Sequence, residues 1–164
     1  ESAIGDFNVR YVGSFIDSFE QVPGGEFSYL QEQQASGAIP ADIPLDGFGD
    51  LLGMDGNYDN KHTLRLSWRK GDFAANVTAL RKGSFYQNSL TYSDGTQWII
   101  PSMTTMDLTF AYYFDLMDAK SRVRFAIKNF NDERAPLADR YYGYFADAHQ
   151  DLGRNYYMDL RVSF

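Results

Sequence analysis

Hydrophobic and polar residues alternate one by one along most of the chain. In the last segment the apolar side chains occupy every second position, as Met158, Leu160 and Val162 do, with Asp159 and Arg161 between them. Successive side chains of a β-strand point to opposite faces, so this alternation predicts strands with one apolar and one polar face. Six such strands are predicted, at about 4–19, 60–69, 72–87, 104–115, 121–130 and 154–164. No helical stripe of useful length is found, so the predicted fold class is all-β and antiparallel.

The connections between these strands alternate in length. Those at 69–72 and 115–120 are short, whereas 20–59, 88–103 and 131–153 are longer. An up-and-down antiparallel sheet would gather the short turns at one end and the long loops at the other. A soluble sandwich has no reason to sort its loops in this way, whereas outer-membrane β-barrels do so. The pattern therefore favours a transmembrane β-barrel segment with long outer loops.

Strand length and aromatic positions agree with this interpretation. About ten residues at ~3.3 Å each, tilted by about 40°, span the ~25 Å apolar band of such a barrel. Aromatic rings prefer the headgroup level of a membrane, which predicts two girdles. The expected girdle residues are Tyr86, Tyr92 and Trp98 at the long-loop end and Phe73, Phe114 and Phe164 at the short-turn end. The alternative is that Phe and Tyr simply favour strands.

The composition of the chain excludes several classes of protein. The 164 residues carry a formal net charge of −7 at pH 7, which argues against a nucleic-acid partner. Cysteine is absent, so disulfides, thiol catalysis and cysteine-bound zinc are excluded within this sequence. The mean hydropathy of −0.42 and the lack of a long apolar run exclude a transmembrane helix but leave a barrel open. The sequence begins at Glu1, without Met or a signal peptide, and is expected to be a processed product or a fragment.

Several motifs in the second half of the chain resemble those of TonB-dependent outer-membrane receptors. Asn129, Asp132, Glu133 and Pro136 match that family's penultimate-strand motif, although Phe130-Asn131 replaces its usual Leu-Phe. The segment Gly153-Arg-Asn-Tyr-Tyr157, followed by a strand ending in Phe, is similar to the family's last strand. The pair Trp68-Arg-Lys-Gly-Asp-Phe73 and Lys82-Gly-Ser-Phe-Tyr86, and the strand start before Asp107, also resemble the family in the same order.

The resemblance implies that residues 1–164 are the C-terminal part of the β-barrel domain, about six strands of a barrel with roughly twenty-two. A plug domain, a TonB box and the earlier strands would then lie outside this sequence. Such receptors sit in the outer membrane of Gram-negative bacteria and bind a scarce nutrient: a siderophore, cobalamin, haem or an oligosaccharide. They import it with energy from the TonB complex, which engages the plug. Implied partners are therefore lipid, the remaining strands, the plug, the TonB complex and the nutrient; no nucleic acid and no cofactor is predicted.

Three alternatives remain. A passive porin or small structural barrel would lack energy coupling, and a complete small barrel normally needs about eight strands. A soluble antiparallel sandwich that binds carbohydrate would bury its apolar faces. An outer-membrane lipase or protease is not favoured, because Ser84 and His62 are expected at opposite strand ends and no triad or zinc spacing is found. The chain is therefore predicted not to be an enzyme.

Charged residues mark the polar face of the predicted strands. A charged side chain that faced lipid at the bilayer midplane would destabilise the barrel by about 2–4 kcal/mol, so these residues are predicted to face a hydrated lumen. These candidates are Arg10, Arg65, Arg69, Asp107, Arg122, Arg124, Lys128, Asp159 and Arg161. They form either a basic wall that guides an anionic ligand or ordinary salt bridges with carboxylates of the plug.

Two further sets have predicted roles. Aromatic rings on loops stack on sugars or flat chelates, and the outer-loop ligand candidates are Trp98, Tyr141, Tyr142, Tyr144 and Phe145; the alternative is packing within the loop. The last strand resembles the signal read by the outer-membrane assembly machinery, through Leu160, Val162 and Phe164, with Asp159 where that signal often has Gly. The alternative is a plain edge strand.

The 20–59 loop contains eight acidic residues and no Lys or Arg. Its segment Asp55-Gly-Asn-Tyr-Asp59 is faintly similar to a calcium loop but lacks the full ligand spacing. A solvated acidic loop is the preferred interpretation, with part of it folded over the barrel mouth because it also contains many apolar residues.

Overall fold

The computed structural model describes residues 3–22, 24–43, 45 and 49–163. Strands account for 51% of the chain and helix for 6%, which confirms the all-β, antiparallel prediction. The strands are β1 (Asp6–Phe15), β2 (Glu20–Gln21), β3 (Gly49–Asp50), β4 (Asn60–Lys70), β5 (Phe73–Lys82), β6 (Phe85–Thr91), β7 (Gln97–Ile100), β8 (Met103–Leu116), β9 (Ala119–Lys128) and β10 (Asn155–Ser163), and the helix is α1 (Glu26–Ala35). Phe164, in the predicted girdle and assembly signal, lies outside the described residues.

Six strands form one antiparallel sheet in the order β1-β4-β5-β8-β9-β10. They correspond to the six predicted strands, and β10 pairs with β9 as expected, with Leu160 opposite Val123. Within the described part of the chain, β1 pairs only with β4, so the sheet stays open with β1 and β10 as its edges.

The two short turns of this sheet lie at the same end. The β4–β5 turn uses Gly71 at a φ of 53°, and the β8–β9 turn uses Met117 and Asp118 at φ of 50° and 67°. Positive φ values in two-residue hairpin turns suit the right-handed twist of the paired strands. The three long connections therefore all leave the sheet at its opposite end, which we call the loop end.

Two sequence-based predictions are wrong in detail. The expected irregular loop 20–59 contains helix α1, which has no buried residue and hence no apolar stripe for the periodicity to reveal. The predicted strand 72–87 ends at Lys82, although Gly83 still donates its N–H to the Asn60 carbonyl at 2.9 Å, in register with β4. The chain leaves the sheet there, and residues 85–91 pair with 97–100 in a separate hairpin, most of which lies in the predicted loop 88–103.

The six-stranded sheet has one face of apolar side chains, which we call the apolar face. One full row across this face, formed by residues opposite one another on neighbouring strands, is Val9, Leu66, Val77, Leu108, Ile127 and Tyr156. Leu64, Phe110, Phe125 and Leu160 on this face have between 43% and 63% of their surface exposed. Among the described helices and strands, none packs over either face of this sheet. In the described ranges, no helix is both long enough and apolar enough to cross a membrane.

Candidate functional site

The opposite face of the sheet, which we call the polar face, carries all nine charged candidates. The strand register aligns Arg10 with Arg65, Arg65 with Thr78, and Thr78 with Asp107. In a second row, Arg69 is opposite Ala74, which is opposite Ala111. Ala111 is in turn opposite Arg124, and Arg124 is opposite Asp159. The other three candidates, Arg122, Lys128 and Arg161, fall on the same face by alternation along β9 and β10.

Both acidic residues of this set are engaged by their neighbours. Asp159 lies between two guanidinium groups, at 3.2 Å from Arg122 and 2.5 Å from Arg124. Asp107 is 2.5 Å from the Lys128 ammonium and accepts the Asn129 backbone N–H at 3.0 Å. The two acids therefore pair with three of the seven bases.

The remaining basic residues leave the polar face with a surplus of positive charge. Arg10 is directly opposite Arg65, and Arg122 is directly opposite Arg161, although like charges in these positions destabilise a strand pair. Within the described ranges, Arg10, Arg65, Arg69 and Arg161 have no carboxylate within 4.0 Å. A face of this kind attracts anionic groups from a partner or a solute.

The long connections pack together at the loop end around a buried group that we call the loop cluster: Phe85, Ile100, Phe145 and Ala148. The Phe85 and Phe145 rings meet edge to face with centroids 5.1 Å apart. Gln87, fully buried, accepts the Asp139 N–H and donates to the Asp139 carbonyl, both at 3.0 Å. These contacts fasten the β6–β7 hairpin to the last loop.

The outer-loop ligand candidates divide into two groups. Tyr141 and Tyr142 are 94% and 68% exposed, with ring centroids 4.9 Å apart, and Tyr144 lies next to them at 6.2 Å from Tyr142. Phe145, in contrast, is only 5% exposed, with the Arg140 guanidinium 4.4 Å from its ring centroid. Trp98 stacks on Tyr92 at 4.9 Å and packs against the loop cluster. The exposed tyrosines are therefore available to a ligand, whereas Phe145 and Trp98 hold the loops together.

The Asn129–Pro136 motif, quoted above only for its resemblance, has a structural role that sequence reasoning missed. Asn129 has a φ of 51°, and its side chain accepts the Glu133 N–H at 3.0 Å and donates to the Glu133 carbonyl at 2.8 Å. Asn131 accepts the Met106 N–H and donates to the Thr104 carbonyl, both at 2.8 Å. The signal was present in the sequence, since Asn and Asp tolerate positive φ and replace backbone partners at strand ends.

The last loop is anchored so that it partly covers the polar face. Asp151 accepts two hydrogen bonds from the Arg134 guanidinium, at 2.7 and 2.5 Å, and one from the Ala135 N–H at 2.9 Å. These bonds lower the pKa of Asp151 to about 2. Beneath the loop is a cleft of about 330 Å³ between Asp107, Lys128 and Tyr157 on the sheet and Gln150 and Gly153 on the loop. The cleft is large enough for a small polar solute.

His149 is buried inside this loop next to a basic residue. Its ring stacks on Phe85 with centroids 5.6 Å apart, and neither ring nitrogen has a hydrogen-bond partner. The Lys82 ammonium donates to the carbonyl of the preceding residue, Ala148. Burial, and then the positive charge of Lys82, lower the pKa of His149.

Acidification is expected to loosen the last loop through His149. The pKa is lowered when the loop is closed and returns towards 6.5 when it opens, so the open form binds the proton more tightly. Closure therefore weakens as the pH falls below about 6.5 and changes no further below the lowered pKa. The protection factor of the Ala148 amide, which is its intrinsic exchange rate divided by its observed rate at the same pH, should fall over this range in the wild type but not in His149→Phe. Equal pH dependence in both would contradict this role.

Two acidic residues of the 20–59 loop, Asp50 and Asp55, bind groups of the loops. Asp55 is 3.4 Å from the Arg140 guanidinium and accepts the Asn88 N–H at 3.1 Å. Asp50 accepts the N–H groups of Leu52 and Phe19, which lower its pKa. In the described ranges, no three metal-ligating side chains come together.

The relation of His62 to Ser84 differs from the prediction. His62 is opposite Arg81 on β5, and Ser84 follows the end of that strand, so both lie at the loop end. The Tyr11 hydroxyl lies 2.7 Å from His62 Nδ1. His62 belongs to the apolar side of the sheet, since it alternates with Leu64 along β4.

Comparison of the chain with protein-family models, with curated proteins and with solved structures finds no match.

Proposed function

We propose that this chain is part of the β-barrel wall of a TonB-dependent outer-membrane receptor, which binds and actively imports a scarce nutrient. In this proposal the apolar face contacts lipid, the polar face lines the lumen and the loop end lies outside the cell. The observation that carries it is the uncovered apolar face, whose side chains stay exposed across all six strands. In water such a face would be strongly unfavourable, whereas in lipid it is the required surface.

The dimensions of the apolar face support a membrane location. On β8 its side chains run from Met106 to Phe114, which is about 27 Å along the strand and about 20 Å in height at a tilt near 40°. With the reach of the terminal side chains, this approaches the ~25 Å apolar band of outer-membrane barrels. The two open edges support the presence of further strands, because unpaired backbone groups in lipid cost several kcal/mol each. The count of about twenty-two follows from the family resemblance alone.

The polar face and the loops suit the transport role. Acidic groups of a plug domain would be held by the four arginines without carboxylate partners, Arg10, Arg65, Arg69 and Arg161. The plug would connect the receptor to the TonB complex. The exposed Tyr141 and Tyr142, with the half-buried Tyr144 beside them, offer rings to a nutrient at the outer surface. Leu160 and Val162 keep their proposed part in the signal for the assembly machinery. A passive porin would share the wall but would take up solutes independently of the TonB complex.

Adjacent residues of β10 provide a direct test of the orientation. Met158 is on the apolar face and 78% exposed, whereas Tyr157 is on the polar face. In vesicles containing the full protein, Met158→Cys should resist a water-soluble maleimide and have its attached fluorophore quenched by lipid-borne quenchers. Tyr157→Cys should show the opposite behaviour, and the unsubstituted protein reports background labelling.

Equal labelling of the two cysteines by the water-soluble reagent would contradict the proposal. Resistance of Met158→Cys to the water-soluble reagent, without quenching by the lipid-borne quenchers, would instead favour the soluble sandwich, in which protein covers the apolar face.

A further inference from the structure

A polar row interrupts the apolar face at the loop end. His62 is directly opposite Arg81, and Arg81 is directly opposite Thr104. Directly opposite residues on antiparallel strands have Cβ atoms about 5 Å apart, so three donor side chains lie side by side. They come immediately after Leu64, Ala79 and Met106, the last apolar row at this end. We call His62, Arg81 and Thr104 the rim row.

Arg81 lacks an anionic partner. It is exposed, and its guanidinium donates to the Ser102 hydroxyl at 3.1 Å, which uses one of its five N–H groups. Among the residues that the structure describes, no carboxylate lies within 4.0 Å of it. The Tyr11 hydroxyl engages only one of the two nitrogens of His62. The rim row therefore keeps free donors beside an apolar surface.

The depth of the rim row corresponds to the edge of the apolar band. Arg81 lies six residues beyond Ala75, which is opposite Phe110 at the middle of the apolar stretch of β8; this is about 20 Å along the strand and about 15 Å in height at the expected tilt. Half of a ~25 Å band is about 12 Å, so the guanidinium reaches the level where lipid phosphates begin. Exposed Tyr11 and Phe15 rings flank His62, with centroids 6.0 and 5.3 Å from the imidazole. Aromatic rings next to a cation are typical of this interfacial depth.

We infer that the rim row binds the phosphate of a lipid headgroup in the leaflet on the loop side. A guanidinium matches a phosphate with two parallel hydrogen bonds, and the Thr104 hydroxyl and the imidazole supply further donors. The inference rests on the proposed function, because only a lipid-facing sheet brings headgroups to these residues. The opposite end of the same face offers a matched control in Lys70, whose ammonium already donates to the Ala3 carbonyl at 2.7 Å.

The experiment measures how tightly the full protein retains phosphatidic acid in phosphatidylcholine nanodiscs. Arg81→Gln is expected to weaken retention about tenfold, which corresponds to the loss of a typical charge-assisted hydrogen bond. Arg81→Lys should weaken retention less. Lys70→Gln, with the same change of charge on the same face, should retain the lipid as the wild type does. Unchanged retention in Arg81→Gln, or an equal loss in Lys70→Gln, would overturn the inference.

Inorganic phosphate distinguishes a lipid from a free ion. The lipid should remain bound when inorganic phosphate is added in excess, because the acyl chains contribute to its binding; displacement would show a site for free phosphate and overturn the lipid assignment. The two proposals also fail separately. If the cysteine at position 158 is lipid-exposed but Arg81→Gln has no effect, only the rim row inference is lost.

Discussion

Replacing Leu108 by Arg is expected to destabilise the membrane-inserted protein by about 2–4 kcal/mol, whereas Thr109→Arg should cost less than about 1 kcal/mol. Leu108 lies on the apolar face, directly opposite Val77 and Ile127. Thr109 is the next residue along the strand and faces the other way. The same charge is thus introduced at the same depth, into lipid in one variant and into a hydrated space in the other. Urea unfolding of the full protein in vesicles measures both changes.

The pair of variants discriminates between the membrane wall and the soluble sandwich. A membrane wall gives a penalty that depends on the face. A sheet whose apolar face is covered by protein gives a core defect at Leu108 that is the same with and without lipid. Equal costs for Leu108→Arg and Thr109→Arg would show that the two faces share one environment and would contradict the proposed function.

The six long strands were predictable because each one has an apolar face and a polar face. A residue such as Leu108 or Asp107 reports its face through its own polarity, and the period of two then extends along the whole strand. The side-chain period also placed all nine charged candidates on one face before the register was known. The open edges and the pairing of β10 with β9 follow from the up-and-down order of the strands.

The loop end was less predictable because its packing is not periodic. Helix α1 buries no side chain, so no apolar stripe marked it in the sequence. Phe145 and Tyr141 are both aromatic residues of the same loop, yet one is buried against Phe85 and the other is almost fully exposed. Their sequence neighbourhood does not separate them, since the difference arises from the hairpin that packs against the loop.

Asn129→Ala is expected to destabilise the protein by about 2–4 kcal/mol, because it removes two kinds of support at once. The Asn129 side chain holds both the N–H and the carbonyl of Glu133, and the backbone has a φ of 51°, which an alanine adopts at a cost of about 1–2 kcal/mol. Loss of the Asn129 side-chain hydrogen bonds should also speed up amide hydrogen exchange at Glu133. Urea unfolding and hydrogen exchange of the full protein provide the two measurements.

Asn129→Gly separates the two contributions. Glycine adopts the positive φ without strain but lacks the side-chain hydrogen bonds, so its destabilisation should be smaller than that of alanine while Glu133 still loses its protection. Glycine also gives the unfolded chain more freedom, which reduces but does not reverse the expected difference. If alanine and glycine destabilise equally, the backbone conformation contributes nothing. If neither changes the exchange at Glu133, the Asn129 side chain does not hold this turn.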